Sequence, residues 1–222
     1  MDSIAYGLII FDCDGVLVDS ERITARVFAA VLSDFGHPAT VDDVFQHFVG
    51  KSLDQCLQII ARLYGRPAPE AFVEEYRRQV ALALAVEVQA VPGIQAVLDA
   101  LDQRYAVPFC VASNAIIDKM RITLGATGLL ARFIGKMFCV TDVERGKPFP
   151  DLFLLAAARF GVEPARCAVI EDTPTGVTAG VAAGMTVYGY CAMTPRHQLV
   201  EAGAHRTFER MEQLVNLLTI PV

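Results

Sequence analysis

The residues that decide the fold read LIIFDCDG and span positions 8–15. Four apolar residues lead directly into two aspartates, Asp12 and Asp14, and a glycine follows them. Carboxylates two positions apart repel each other, and burial makes each charge more costly. A buried strand that ends this way needs a compensating cation, unless the segment is an ordinary solvated turn.

Short apolar runs recur along the chain without the alternation of a half-exposed strand. We interpret as buried strands residues 7–11, 107–112, 137–140, 167–170 and 186–190. Helical patterns separate the later runs, at residues 116–124, 151–160 and 175–183. Strands that alternate with helices predict an α/β fold with a Rossmann-like parallel sheet that is covered on both faces.

The alternation stops between the first and second predicted strands. Helical patterns without a strand among them cover residues 20–35, 41–48, 52–64 and 69–88. We therefore predict a Rossmann-like core from residues 1–18 and 89–222, and an all-helical cap, residues 19–88, inserted after the first strand. Gln89–Gly93, which contains a proline and a glycine, is the predicted hinge through which the chain returns.

Composition excludes several classes of function. The net charge is −6 and the cations are scattered, so no basic stripe is present for nucleic acid. The six cysteines form no CxxC motif, which predicts a reducing compartment without disulfides or a zinc site. The N-terminus lacks the features of a signal peptide. We expect a cytoplasmic monomer that binds neither nucleic acid nor membrane.

Polar side chains follow the later predicted strands as well. They are Ser113 and Asn114 after the second strand, Lys147 after the third, and Glu171 and Asp172 after the fourth. The carboxyl ends of parallel strands share one edge of a sheet, where ligands bind in such folds. We expect these side chains to gather there with Asp12 and Asp14.

Four carboxylates at one edge require a divalent cation. At about 4 Å and an effective dielectric near 20, each like-charged pair costs roughly 4 kcal/mol, which one lysine does not offset. Mg²⁺ prefers oxygen ligands and shares a substrate's phosphate. The predicted Mg²⁺ ligands are Asp12, Asp14, Glu171 and Asp172.

The two aspartates of the turn are predicted to have different roles. Asp12 is the nucleophile and also a metal ligand. Asp14 is the general acid and then the general base, and its backbone carbonyl ligates the metal while Gly15 permits the tight turn. The residues predicted to bind the phosphoryl oxygens are Ser113, Asn114 and Lys147.

Four segments together resemble the motifs of the haloacid-dehalogenase superfamily of phosphohydrolases, in order. They are FDCDGVLVDSE (11–21), VASN (111–114), GKPFPD (146–151) and VIEDTPTGVTAG (169–180). The helical insertion resembles the C1-type cap of the β-phosphoglucomutase group. The wider sequence, with TVYGYCAMTPRHQ (186–198), resembles bacterial sugar-phosphate phosphatases, particularly those acting on 6-phosphogluconate. The resemblance implies Mg²⁺-dependent hydrolysis of a small phosphorylated sugar or sugar acid through an aspartyl-phosphate, with 6-phosphogluconate as the first compound to try.

Other functions stay open as alternatives. Sugar phosphomutases of this group carry a histidine about twelve residues after the nucleophile, where this chain has Thr24. Dehalogenases place an aromatic residue, and phosphonate hydrolases a small one, at the position of Asp14, which disfavours both. A phospho-accepting signalling domain is the non-enzymatic alternative, but such domains are shorter and lack the helical insertion.

Substrate selection is predicted to involve the cap. Lys51 lies in a Gly-Lys-Ser loop between two predicted helices, and we expect it to reach the substrate. An ordinary solvated lysine explains the same pattern. Arg22 and Arg26, one turn apart on the first cap helix, offer further cations for a carboxylate distant from the phosphate.

Overall fold

A computed structural model describes residues 4–48, 51 and 53–219. The elements in chain order are β1 (Leu8–Phe11), β2 (Val18–Asp19), α1 (Glu21–Asp34), α2 (Val41–His47), α3 (Leu53–Tyr64), α4 (Ala71–Glu87), β3 (Gln89–Ala90), α5 (Ile94–Asp99), β4 (Phe109–Ser113), α6 (Ile117–Ala126), α7 (Leu130–Phe133), β5 (Met137–Cys139), α8 (Asp151–Phe160), β6 (Cys167–Glu171), α9 (Pro174–Ala182), β7 (Thr186–Tyr190), α10 (Arg196–Glu201), β8 (Arg206–Phe208) and α11 (Leu214–Leu218). A π-helical segment, Ala100–Tyr105, continues α5.

The core of the molecule is a parallel sheet. Within the described part of the chain its strand order is β5-β4-β1-β6-β7-β8, and every neighbouring pair runs parallel. All residues of β1, β4 and β6 are buried. Burial on both faces explains why these strands are continuously apolar, and the predicted α/β fold is confirmed.

The strand β8 was not predicted from the sequence. It has three residues, Arg-Thr-Phe, of which Phe208 is buried. It pairs with β7 at the edge of the sheet. So short and polar a segment becomes a strand through its tertiary pairing, and local pattern does not reveal it.

Contacts divide the chain into two compact units. One takes the residues up to Asp19 and those from Gln89 onward, and the other takes Ser20–Val88. The helical unit contains α1 to α4. Its interior is built on Phe28, whose ring centroid lies 5.6 Å from that of Phe72 and 5.1 Å from that of Tyr76. Aromatic burial of this kind supplies a helical unit with its own apolar core.

The chain leaves and re-enters the sheet-containing unit along a short antiparallel ladder. Val18 pairs with Ala90 and Asp19 with Gln89, so β2 and β3 lie side by side. The Val91 N–H also donates to the Leu17 carbonyl at 3.0 Å. The segment predicted as a return hinge therefore begins with paired backbone.

Across residues 4–48, 51 and 53–219, none of the helices combines the length and apolar character that crossing a bilayer requires.

Candidate active site

Three neighbouring strands end at the candidate site. Asp12 directly follows β1, while Ser113 and Glu171 are the last residues of β4 and β6. The Asp12 N–H donates to the Ile170 carbonyl at 2.9 Å, which continues the ladder to the candidate nucleophile. Because β1 lies between β4 and β6, three distant segments of the chain meet at one edge.

Lys147 reaches this edge from the loop between β5 and α8. Its Nζ donates to Asp12 Oδ1 at 2.6 Å and to Glu171 Oε1 at 2.5 Å. The exposed fractions of the lysine, aspartate and glutamate side chains are 4%, 11% and 1%. The ammonium also lies 4.8 Å from the ring centroid of Phe153, a favourable position for a cation. The lysine therefore bridges two buried carboxylates.

Burial and the neighbouring charges both shift the pKa values of Asp12 and Lys147. Burial raises the pKa of Asp12 to about 7, against the lowering effect of Lys147, and the Glu171 charge raises it as well. Burial favours a lower pKa for Lys147, but the charges of Asp12 and Glu171 together raise its pKa above the ordinary value. Lys147 is therefore held in its charged form, which in turn favours the charged form of the Asp12 carboxylate beside it.

Asp12, Glu171 and Asp172 form a carboxylate cluster. In the described part of the chain these three buried residues each offer an oxygen atom, and the atoms lie within 4.8 Å of one another. The donors are all oxygen, with neither imidazole nor thiolate, which is the set that Mg²⁺ prefers. Surplus negative charge at such a cluster favours a divalent cation, so the residues present fit Mg²⁺.

The start of α9 fixes the second oxygen of Glu171. Glu171 Oε2 accepts hydrogen bonds from the Asp172 N–H at 3.1 Å, the Thr173 N–H at 3.2 Å and the Thr173 hydroxyl at 3.0 Å. Thr173 also caps α9, because its Oγ1 accepts from the Gly176 N–H at 3.1 Å. Glu171 is thus oriented between Lys147 and the positive end of a helix.

Asp14 lies in the turn after β1. Gly15 has a φ of 80°, which glycine adopts without strain. A Cβ atom there would lie 2.1 Å from Asp172 Oδ2, so the glycine also leaves room for the cluster. The Asp14 carboxylate contacts Lys119 on α6, whose Nζ donates to Oδ2 at 2.8 Å. Metal ligation by the Asp14 backbone carbonyl stays a prediction.

Lys119 is a site residue that sequence reasoning missed. It lies beyond the VASN motif, in the first turn of α6. The sequence feature that could have revealed it is a lysine at a helix N-terminus, where the helix dipole disfavours positive charge.

Ser113 and Asn114 differ in what their side chains contact. Ser113 is buried, and its Oγ accepts from the Ala115 N–H at 3.1 Å. The Asn114 amide pairs with the backbone of Lys147: Oδ1 accepts from its N–H at 2.8 Å and Nδ2 donates to its carbonyl at 3.0 Å. Asn114 therefore joins two motif loops, and phosphate binding by either residue stays a prediction.

Lys51 belongs to the helical unit, and its neighbours Gly50 and Ser52 lie outside the described residues. It is exposed and lines a cavity of about 440 Å³. The other lining residues are Gln55, Gln58, Ile59 and Arg62. Contact between Lys51 and the substrate stays a prediction.

Comparison with known proteins identifies the family. The sequence model of the haloacid dehalogenase-like hydrolase family matches residues 6–184. The chain belongs to this family. The 6-phosphogluconate phosphatase of Escherichia coli (strain K12) is 33% identical over 210 residues, which cover 94% of this chain and 93% of that protein. The probable pseudouridine-5'-phosphatase of Drosophila melanogaster is 33% identical over 186 residues, which cover 80% and 78% of the two chains.

A solved structure extends the likeness to the whole fold. The putative beta-phosphoglucomutase from Thermotoga maritima superimposes with a TM-score of 0.78 at 26% identity, covering 95% of this chain and 97% of the other. This haloacid dehalogenase-like hydrolase is accordingly a phosphatase. The predicted family and enzyme class are confirmed.

Proposed function

We propose that this phosphatase hydrolyses a phosphorylated sugar acid, with 6-phosphogluconate as the first candidate, through an aspartyl-phosphate on Asp12 and with Mg²⁺ as cofactor. One observation carries the proposal: Lys147 bridges Asp12 and Glu171, two of the three members of the carboxylate cluster. Burying several like charges together is costly for a structure. A candidate nucleophile, a fixed cation and oxygen donors for a metal at one point supply a functional reason for that cost.

Asp12, Glu171 and Asp172 would hold Mg²⁺ through carboxylate oxygens, with the Asp14 carbonyl as a further proposed ligand. When bound, the ion offsets negative charge on the carboxylates and on the phosphate oxygens. Lys147 is proposed to hold the Asp12 carboxylate ready for attack. With Ser113 and Asn114 it would also bind the phosphoryl oxygens.

In the first half-reaction a carboxylate oxygen of Asp12 attacks phosphorus, and the bond from phosphorus to the ester oxygen breaks. Asp14 donates a proton to that oxygen, so the sugar leaves as an alcohol. In the second half-reaction water attacks phosphorus and Asp14 takes the proton. Inorganic phosphate leaves, and Asp12 is restored as a carboxylate.

Selection of a sugar acid is assigned to the helical unit. The Escherichia coli relative is named for 6-phosphogluconate, and the cavity beside Lys51 and Arg62 carries two cations that suit a carboxylate. Arg26 is a weaker candidate than the sequence suggested, because it donates to both Glu87 oxygens, at 2.8 and 2.6 Å. We therefore assign the distant carboxylate to Lys51 and Arg62.

Phosphoryl transfer between sugar hydroxyls is the second candidate, favoured by the likeness to a putative beta-phosphoglucomutase. The side chain at the position of the mutase histidine weighs against it. The Thr24 Oγ1 donates to the Glu21 carbonyl at 2.9 Å, and a hydroxyl held in this way does not replace an imidazole as acid and base. Product analysis with a hexose 1-phosphate separates the two, since hydrolysis releases inorganic phosphate and a mutase yields the 6-phosphate.

We place the enzyme in the cytoplasm as a monomer. The six cysteines are free thiols, and Cys191 is the one that is not fully buried. Free thiols suit a reducing compartment.

The substrate proposal is tested by steady-state phosphate release from 6-phosphogluconate and glucose 6-phosphate, with Mg²⁺ and with a chelator. We expect Mg²⁺-dependent release and a kcat/KM at least about tenfold higher for the sugar acid, since one charge-assisted hydrogen bond contributes roughly 1.5–3 kcal/mol. Lys51→Ala should remove most of that preference, whereas Arg78→Ala, an exposed arginine paired with Glu75, should not. Equal efficiency on both sugars would reject carboxylate recognition and leave the phosphatase assignment standing.

A further inference from the structure

We propose that Lys119 is a positioning residue, whose ammonium fixes the Asp14 carboxylate in the orientation from which Asp14 serves the leaving oxygen. The inference rests on the proposed function, in which Asp14 transfers protons. Lys119 lies outside all four sequence motifs, and its role follows from contacts that only the folded chain makes.

The first observation is the ion pair itself. Lys119 Nζ donates to Asp14 Oδ2 at 2.8 Å, between residues 105 positions apart in the chain. The side chains are 29% and 24% exposed. Solvent screens such a pair less than a surface pair, yet the carboxylate remains accessible to a substrate. A charge-assisted hydrogen bond at this distance is directional, so it favours one carboxylate orientation.

The second observation is the packing of α6. Met120 and Leu124 are fully buried and anchor the helix in the core. Thr123, four residues after Lys119 and on the same face, brings its Oγ1 to 3.9 Å from the Sγ of Cys13. Successive turns of one anchored helix thus contact Cys13 and Asp14. The position of the lysine is therefore set by core packing.

The third observation is the place of Lys119 in its helix. α6 begins at Ile117, so the cation lies in the first turn, where the helix dipole disfavours positive charge. Helix stability gives no reason for a lysine there. A cation that is unfavourable for its own helix but pairs with a carboxylate from a distant segment is typical of a functional constraint.

The two lysines of the site also divide the aspartates between them. Lys147 binds Asp12 together with Glu171, and Lys119 binds Asp14. Asp12 and Asp14 are two positions apart and are predicted to perform different steps. The two carboxylates are therefore contacted by separate cations, one from α6 and one from the loop between β5 and α8.

The test compares Lys119→Met and Lys119→Arg on two substrates whose leaving groups differ. 4-Nitrophenyl phosphate has an acidic leaving group that needs little protonation, and a simple alkyl phosphate needs a full proton transfer. Positioned proton transfer contributes about 10²–10⁴-fold. The comparison uses kcat/KM, which reports the first half-reaction, because hydrolysis of the aspartyl-phosphate is common to both substrates. We expect Lys119→Met to lower kcat/KM on the alkyl phosphate by about tenfold or more and on the aryl phosphate by less than about threefold. Lys119→Arg should recover most of the loss.

Controls separate positioning from a loss of charge or of fold. Arg121→Met removes one cation from an exposed position of the same helix and should leave both rates unchanged. The Asp14→Asn, Lys119→Met double variant should be no slower on the alkyl phosphate than Asp14→Asn alone, because both changes remove one function. If Lys119→Met does not fold, Lys119→Gln replaces it with the same expected pattern.

An equal loss of kcat/KM on both substrates would overturn the role of Lys119. Failure of the proposed function has a different signature. If Asp14→Asn alone lowers kcat/KM equally on both substrates, Asp14 is not the acid, and the proposed function fails together with the role of Lys119. If Asp14→Asn shows the leaving-group pattern and Lys119→Met does not, only the inference about Lys119 fails.

Discussion

Lys147 partly neutralises the buried carboxylates of the site, because its ammonium contacts Asp12, which follows β1, and Glu171, which ends β6. Removing one partner of a buried ionic group leaves the remaining charges uncompensated, which costs about 3–5 kcal/mol. One ammonium does not neutralise the three carboxylates of Asp12, Glu171 and Asp172. At the scale of single residues, stability and metal binding are therefore coupled.

Lys147→Met tests this coupling without an activity assay. We expect its free energy of unfolding in chelator to fall by about 3–5 kcal/mol. Mg²⁺ should stabilise this variant more than the wild type, because the ion then faces a more negative cluster. Lys136→Met, which removes a lysine lying over the Phe109 ring, should show the Mg²⁺ response of the wild type. Urea denaturation with and without Mg²⁺ measures the free energy of unfolding and its increase on Mg²⁺ binding. An equal Mg²⁺ effect in Lys147→Met and wild type would contradict the coupling.

Gly176, in α9, lies against the Glu171 side chain. A Cβ atom there would lie 1.8 Å from Glu171 Oε1, so Gly176→Ala must displace the glutamate from Lys147. Alanine normally stabilises a helix over glycine by about 1 kcal/mol. We expect Gly176→Ala to lower both stability and kcat, whereas Gly125→Ala, whose Cβ would come no closer than 3.9 Å to Leu130, should not destabilise. Unfolding midpoints and phosphate release measure the pair; a more stable, fully active Gly176→Ala would show that the contact is unimportant.

At the scale of elements, Asn114 ties the loop after β4 to the loop that carries Lys147. Asn114→Ala removes two hydrogen bonds, each contributing about 0.5–1.5 kcal/mol. We expect a loss of about 1–3 kcal/mol in stability and a lower kcat, with little change in the inhibition constant of inorganic phosphate. A weakened phosphate inhibition with unchanged stability would instead support direct phosphate binding by Asn114.

Elements buried on both faces were predictable from the sequence. β1, β6 and β7 follow continuous apolar runs, and α8 was predicted at its observed bounds because its helical period is uninterrupted. β2, β3 and β8 have two or three residues each and exist through pairing with partners distant in sequence. Local pattern carries no signal for such pairing.

The same division holds within the site. Residues that end a buried strand, such as Asp12 and Glu171, follow from the sequence because parallel strands share an edge. The contacts of Lys119 and of the Asn114 side chain do not follow, since each depends on how a helix or a loop packs against a segment elsewhere in the chain. Positions at the shared edge of the strands were predictable, and side-chain contacts that depend on packing were not.

At the scale of the whole molecule, the β2–β3 ladder makes the helical unit removable. Asp19 and Gln89 are paired residues of an antiparallel ladder, a spacing that a two-residue Asn-Gly turn closes. We expect a chain that joins them through such a turn, without residues 20–88, to fold and to hydrolyse 4-nitrophenyl phosphate slowly. Its preference for 6-phosphogluconate over glucose 6-phosphate should disappear. Circular dichroism and steady-state kinetics measure this, and a retained preference would place substrate selection in the sheet-containing unit.

Asp12 is proposed to carry the phosphoryl group during turnover, and trapping the aspartyl-phosphate tests this step without relying on rates. The enzyme is mixed with ³²P-labelled substrate and Mg²⁺, quenched in acid within the first turnover, and reduced with borohydride, which converts an aspartyl-phosphate to homoserine. We expect Mg²⁺-dependent ³²P on the protein, homoserine at position 12, and neither in Asp12→Asn. Turnover at the wild-type rate by Asp12→Asn, or label at another residue, would contradict it.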